Sequence, residues 1–125
     1  AIEIELARQL RKFSQTLGGR EQLAVEEFSS ALESIPTTLA ENAGLDPIDI
    51  LTELKARHDT GEKNVGLNLL TDKIEDTLIA GVVEPLRIKT QAINSASEVA
   101  MMILRIDDVI ASSNKPKSSY NPEME

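Results

Sequence analysis

Residues 2–19 read IEIELARQLRKFSQTLGG. Ile2, Leu6, Leu10, Phe13 and Leu17 follow one another at steps of four, four, three and four. That spacing is one apolar stripe of a 3.6-residue period and predicts an amphipathic helix. Gly18-Gly19 stops it, because glycine takes the left-handed cap conformation without steric cost. Working outward, a second helix is predicted from about Arg20, with Leu23, Val25, Phe28, Ala31, Leu32 and Ile35 as its apolar face. Pro36 is expected to end it, since proline disfavours helical geometry in the residue before it. A short third helix is then predicted over Pro36 to Asn42 and closed by Gly44. Asp46-Pro47 opens a fourth: Asp46 is placed to cap free N–H groups, and Pro47 suits the first helical position. Leu51, Leu54 and His58 continue that helix's face, and Gly61 ends it.

The period changes after Gly61. Val65, Leu67 and Leu69 alternate with Gly66, Asn68 and Leu70, and Thr71-Asp72-Lys73 reads as a turn. The segment 62–76 predicts a small hairpin. A helical turn is expected from Glu75 to Ala80, capped by Gly81, followed by an extended Val82-Val83-Glu84. Pro85 starts the last long helix, lined by Leu86, Ala92, Ile93, Ala96, Val99, Ala100 and Ile103. Arg105 to Ile110 has the β-branched content of a strand. Residues 112–125 are polar, hold Pro116 and Pro122, and predict a disordered tail.

Composition narrows the function classes. The chain has 125 residues, the size of one domain. Thirteen basic against twenty-one acidic residues give a net charge of −8. That balance opposes phosphate backbones, which are held by Lys and Arg, so neither nucleic acid nor an anionic membrane is an expected partner. No apolar run approaches the ~20 residues of a membrane helix, and no signal peptide is visible. Without cysteine there is no disulfide framework and no thiolate chemistry. A cytoplasmic location is expected.

Five collinear stretches resemble group II chaperonins of the archaeal (thermosome) type. They are LGGREQLAVEEF from Leu17, IPTTLAENAGLDPIDIL from Ile35, GLNLLT from Gly66, GVVEPLRIKTQAI from Gly81 and ILRIDDVI from Ile103. The resemblance spans residues 1 to about 111. It implies a mainly α fold: the C-terminal part of an ATP-binding equatorial domain, with a small β-hairpin and a C-terminal strand. It implies part of an ATP-dependent ring machine that folds proteins in a closed chamber. The partners it implies are other subunits in a double ring, and unfolded clients held through other domains. The cofactor it implies is ATP, with Mg2+ held by the other half of the equatorial domain. The family's phosphate loop, catalytic aspartates and substrate-gripping apical domain belong to portions outside this stretch. The intact subunit is therefore expected to be an ATPase and this segment alone inactive. The strand at Arg105 to Ile110 would pair only with segments from elsewhere in the ring.

The resemblance also implies site residues. Glu84, before the helix-starting proline, would accept hydrogen bonds from the ribose hydroxyls, as a carboxylate suits two vicinal donors. Lys89, five residues on, would reach the nucleotide from the side. Asn68, Leu69 and Leu70 would form one wall of the adenine pocket and Val82 the other. The residues alone leave other readings open: Glu84 as a carboxylate favoured at a helix N-terminus, and the hairpin as ordinary packing. Asp107-Asp108 are neighbours that a strand would point to opposite faces, which argues against a shared metal site. His58 reads as a cation near a helix end. Glu26-Glu27, Asp59 and Glu62 read as a solvated face. No catalytic residue and no metal ligand is predicted. A free-standing acidic helical adaptor is the alternative that composition and periodicity leave open.

Overall fold

The computed structural model describes residues 1–113. The element order is α1 (Ile2–Ser14), α2 (Gly19–Asn42), α3 (Pro47–Asp59), β1 (Val65–Asn68), β2 (Lys73–Asp76) and α4 (Leu86–Ser113). The chain divides into two compact units, residues 1–83 and residues 84 onward.

In the first unit α1, α2 and α3 pack on one another, and α3 packs on both strands. The two strands pair antiparallel, Val65 opposite Asp76 and Asn68 opposite Lys73, as the alternating pattern predicts. Ile4, Leu54 and Val65 form the buried cluster where α1, α3 and β1 meet, with Ile50, Leu51 and Ile74 against it. Between α1 and α2, Ala7 and Ser29 are fully buried, and the Ser29 hydroxyl donates to the Ala7 carbonyl at 2.6 Å. Small side chains let the two backbones approach closely enough for that bond. The α3 N-terminus forms as expected: Asp46 Oδ1 accepts from the N–H groups of Ile48 and Asp49 at 2.9 and 3.2 Å.

The structure corrects three expectations. First, the short third helix does not exist as a separate element. The chain runs helically through Pro36 to Asn42. Proline removes one backbone bond and strains the turn before it, at about 3 kcal/mol. Packing offsets this: Leu32, Pro36 and Ala40, four apart on one face, are all buried. Second, the expected strand at Arg105 to Ile110 is helix, part of α4. Among the described residues β1 and β2 pair only with each other. A third strand would leave its N–H and C=O groups without a ladder, whereas a helix satisfies them internally. Third, the expected helical turn at Glu75 to Ala80 begins later. Glu75 and Asp76 belong to β2, and residues 77–81 form turns on an Asp76 side chain that accepts from Leu78 and Ile79 N–H. Of the expected tail, Ser112 and Ser113 lie in α4; residues 114–125 lie outside the described residues.

The apolar faces divide unevenly. The α3 face packs inward, with Leu54 and His58 fully buried. The α1 stripe does not. Its buried residues are Ile4, Glu5, Ala7 and Ser14, while Ile2 and Phe13 are exposed. On α2, Leu23, Phe28, Ile35 and Leu39 are also exposed. In the second unit Met101, Met102, Ile103 and Leu104, a full helical turn, are all exposed. A helix apolar all round is normally a buried one, so these faces are more apolar than a water-facing surface requires. No described helix is long and apolar enough to cross a membrane.

Candidate nucleotide site

The hairpin tip is built by Asn68. Its Oδ1 accepts from the Leu70 N–H at 2.9 Å, closing the turn, and its Nδ2 donates to Glu75 Oε1 on β2. Asp72 sits in the left-handed region at φ 53, a conformation that Asp tolerates better than most residues. These constraints leave Leu70 95% exposed and Leu69 partly exposed. Asn68 thus shapes the tip through its own amide, while the two leucines offer apolar surface to whatever meets them.

Val82 follows a turn closed by two backbone bonds, Gly81 N–H to the Leu78 carbonyl at 3.1 Å and Val82 N–H to the Thr77 carbonyl at 2.8 Å. Gly81 has φ 78, a value at which a side chain would be strained. The Val82 side chain is exposed. Asn68, Leu69, Leu70 and Val82 all belong to the first unit. Glu84 and Lys89 belong to the second, where Glu84 Oε1 lies 3.0 Å from Lys89 Nζ, both part-exposed. The carboxylate and the ammonium that the sequence singled out separately are therefore one ion pair at the start of α4. The other reading of Glu84, an acid near the positive end of that helix, describes the same position.

The first unit also holds charged groups that periodicity does not single out. Arg57, in the last turn of α3, donates Nη1 to the Ile74 carbonyl on β2 at 2.8 Å and pairs with Glu62 at 2.6 Å. Glu62 is thus not simply solvated; its hydrogen bond from Arg57 lowers its carboxyl below the ordinary range. Glu33, nearly buried on α2, takes Arg11 from α1 and Lys55 from α3, the latter at 2.9 Å. Burial pushes its carboxyl up, but the bonds and charges of Arg11 and Lys55 outweigh that and leave it below the usual value. Glu5 on α1 is bonded by Arg8 at 2.7 Å and Gln9 at 2.9 Å. The Arg8 bond chiefly, with His58 and Gln9, holds its carboxyl down at about 2. Among the described residues no group of three or more acidic or histidine side chains is placed to hold a metal ion.

The described residues form a mainly helical chain with an exposed hairpin tip and an acid before a long helix. Residues 1–114 match the model of the TCP-1/cpn60 chaperonin family, and the chain belongs to that family. It is 62% identical to the thermosome subunit beta of Archaeoglobus fulgidus over 94% of its own length, covering 22% of that protein. It is 64% identical to thermosome subunit 1 of Haloferax volcanii over 89% of its length, covering 20% of that protein. Among solved structures it resembles the open-state monomer of a group II chaperonin from Methanococcoides burtonii. There the TM-score is 0.80 and the identity 58%, over 82% of this chain and 26% of that one. The chain thus spans about a fifth of the length of the thermosome subunits it matches. These relatives lend no support to the adaptor reading.

Proposed function

We propose that this chain is the C-terminal part of the equatorial domain of a ring-forming chaperonin subunit that uses ATP to fold proteins in a closed chamber. In this reading Leu69 and Leu70 form one wall of the adenine pocket and Val82 the other, with Asn68 holding the tip and meeting the base edge. Glu84 binds the ribose hydroxyls, and Lys89 orients that carboxylate and reaches the nucleotide from the side. Magnesium and the hydrolytic groups come from portions of the subunit beyond this stretch, so the isolated chain does not turn ATP over. The remaining subunit covers the apolar sides of α1, α2 and α4, and neighbouring subunits complete a double ring. Clients bind through domains elsewhere in the subunit, and the machine works in the cytoplasm.

The observation that carries the reading is the hairpin tip. A leucine 95% exposed, on a turn fixed by an asparagine and braced from α3, is a costly way to make a loop and a direct way to make an apolar base wall. In the full-length protein, Leu70→Asp is expected to weaken ATP binding by on the order of tenfold, the effect of about 1.4 kcal/mol. Unchanged ATP affinity in a folded Leu70→Asp protein would remove the hairpin from the nucleotide site.

A further inference from the structure

His58 is the chain's single histidine, and its position near the end of α3 suggests a surface cation. The structure buries it completely, at 0% exposure. Its Nδ1 lies 3.0 Å from Glu5 Oε2 on α1, and its Nε2 lies 2.8 Å from the Val65 carbonyl, the first residue of β1. Both partners only accept. A carbonyl carries no hydrogen, and the Glu5 carboxyl, bonded chiefly by Arg8, is ionised above about pH 2. Each ring nitrogen therefore faces an acceptor, and the ring bridges elements 53 residues apart in sequence.

The neighbouring residue extends the pattern. Arg57 donates to the Ile74 carbonyl on β2, so consecutive residues in the last turn of α3 each bond one strand of the hairpin. The seat of β1 is tight as well: a Cβ on Gly66 would lie 2.9 Å from the Ala1 backbone nitrogen. No buried side-chain polar atom in this region lacks a partner. A histidine needed only to fill a core would not require a carboxylate fixed by two further donors.

We infer that His58 is a positioning residue for the nucleotide pocket: anchored on Glu5, it fixes the Val65 end of β1 and so sets where the tip with Asn68, Leu69 and Leu70 stands. The inference rests on the hairpin's being the base wall. It predicts that base recognition depends on a buried contact at the opposite end of the strand.

The test uses the full-length protein, with ATP and GTP as probes in calorimetric titrations at a temperature where each variant is fully folded. His58→Gln is expected to weaken ATP binding about fivefold and to reduce the preference for ATP over GTP, the scale of one lost hydrogen bond. Glu5→Ala, which removes the anchor without changing a residue of α3 or the hairpin, is expected to do the same and serves if His58→Gln does not fold. Glu5→Gln keeps an oxygen for Nδ1 and is expected to restore affinity to within about twofold of the parent. A role in stability alone would lower the melting temperature and leave affinity and base preference of the folded protein unchanged. If Leu70→Asp weakens ATP binding while folded His58→Gln and Glu5→Ala do not, the positioning role is overturned and the base wall stands. If Leu70→Asp is also without effect, both readings fall.

Discussion

Gly66 on β1 and Ala1 at the head of α1 approach so closely that no side chain fits between them. A Cβ at position 66 would stand 2.9 Å from the Ala1 nitrogen and 2.9 Å from Thr77 Cγ2. One of those neighbours is backbone and cannot swing aside. Gly66→Ala is therefore expected to push β1 off α1 and destabilise the full-length protein by about 1–3 kcal/mol, the usual scale for overpacking. Denaturant unfolding checks this. A loss below about 0.5 kcal/mol, the level of ordinary surface substitutions, would mean that the strand shifts freely.

Glu33 on α2 bonds charged side chains of both α1 and α3. Removing it leaves two cations facing a nearly buried position. Glu33→Ala is expected to cost about 3 kcal/mol, toward the lower end for breaking one side of a buried ion pair, because Arg11 and Lys55 keep partial contact with water. Arg11→Ala or Lys55→Ala alone leaves Glu33 one partner and is expected to cost less. Thermal unfolding of the three variants gives the order; a smaller effect for Glu33→Ala than for either cation would contradict the geometry.

Glu5 makes acid stability measurable. Its carboxyl titrates near 4.5 when free and at about 2 in the fold, chiefly through Arg8. A depressed carboxyl contributes its stability above the unfolded value and loses it as pH falls through the folded one. Between about pH 4.5 and 2 the protein should lose on the order of 1–3 kcal/mol through this group. Glu33 is shifted in the same direction and adds to the slope. Glu5→Gln should flatten the pH dependence of stability in that window. An unchanged slope would mean that the Arg8 bond is lost to solvent.

What could be read ahead of the structure was local. Asp46-Pro47 specifies the α3 start through atoms within three residues, and the Val65 to Lys73 alternation and turn specify the hairpin. Pro36 misled because its tolerance depends on the packing of Leu32, Pro36 and Ala40, which periodicity does not register. The strand expected at Arg105 to Ile110 rested on β-branched content, a preference that yields wherever ladder partners are missing. The α1 stripe of Ile2 and Phe13 was legible as apolar, yet the face that packs within the chain is set by Ile4 and Ala7. His58 could not be placed from spacing, since Glu5 lies 53 residues away. The site residues at the tip and before α4 owe their selection to family resemblance; the residues alone suggested a hairpin and a cap.

Glu84 separates those two readings. If it only favours the N-terminus of α4, its loss weakens that helix by a fraction of a kcal/mol and treats all nucleotides alike. If it binds the ribose, one carboxylate accepts from two neighbouring hydroxyls while Lys89, 3.0 Å away, keeps it oriented. Glu84→Ala in the full-length protein should then weaken ATP binding by on the order of 1–3 kcal/mol, the range for hydrogen bonds to a charged group. The penalty should be smaller with 2′-deoxyATP, which offers one hydroxyl of the pair. Lys89→Ala should cause part of the same loss, because it frees the carboxylate without removing it. Calorimetric titration of both nucleotides against the three proteins measures the differences directly. Equal losses for ATP and 2′-deoxyATP on Glu84→Ala would return Glu84 to the role of a helix-end carboxylate.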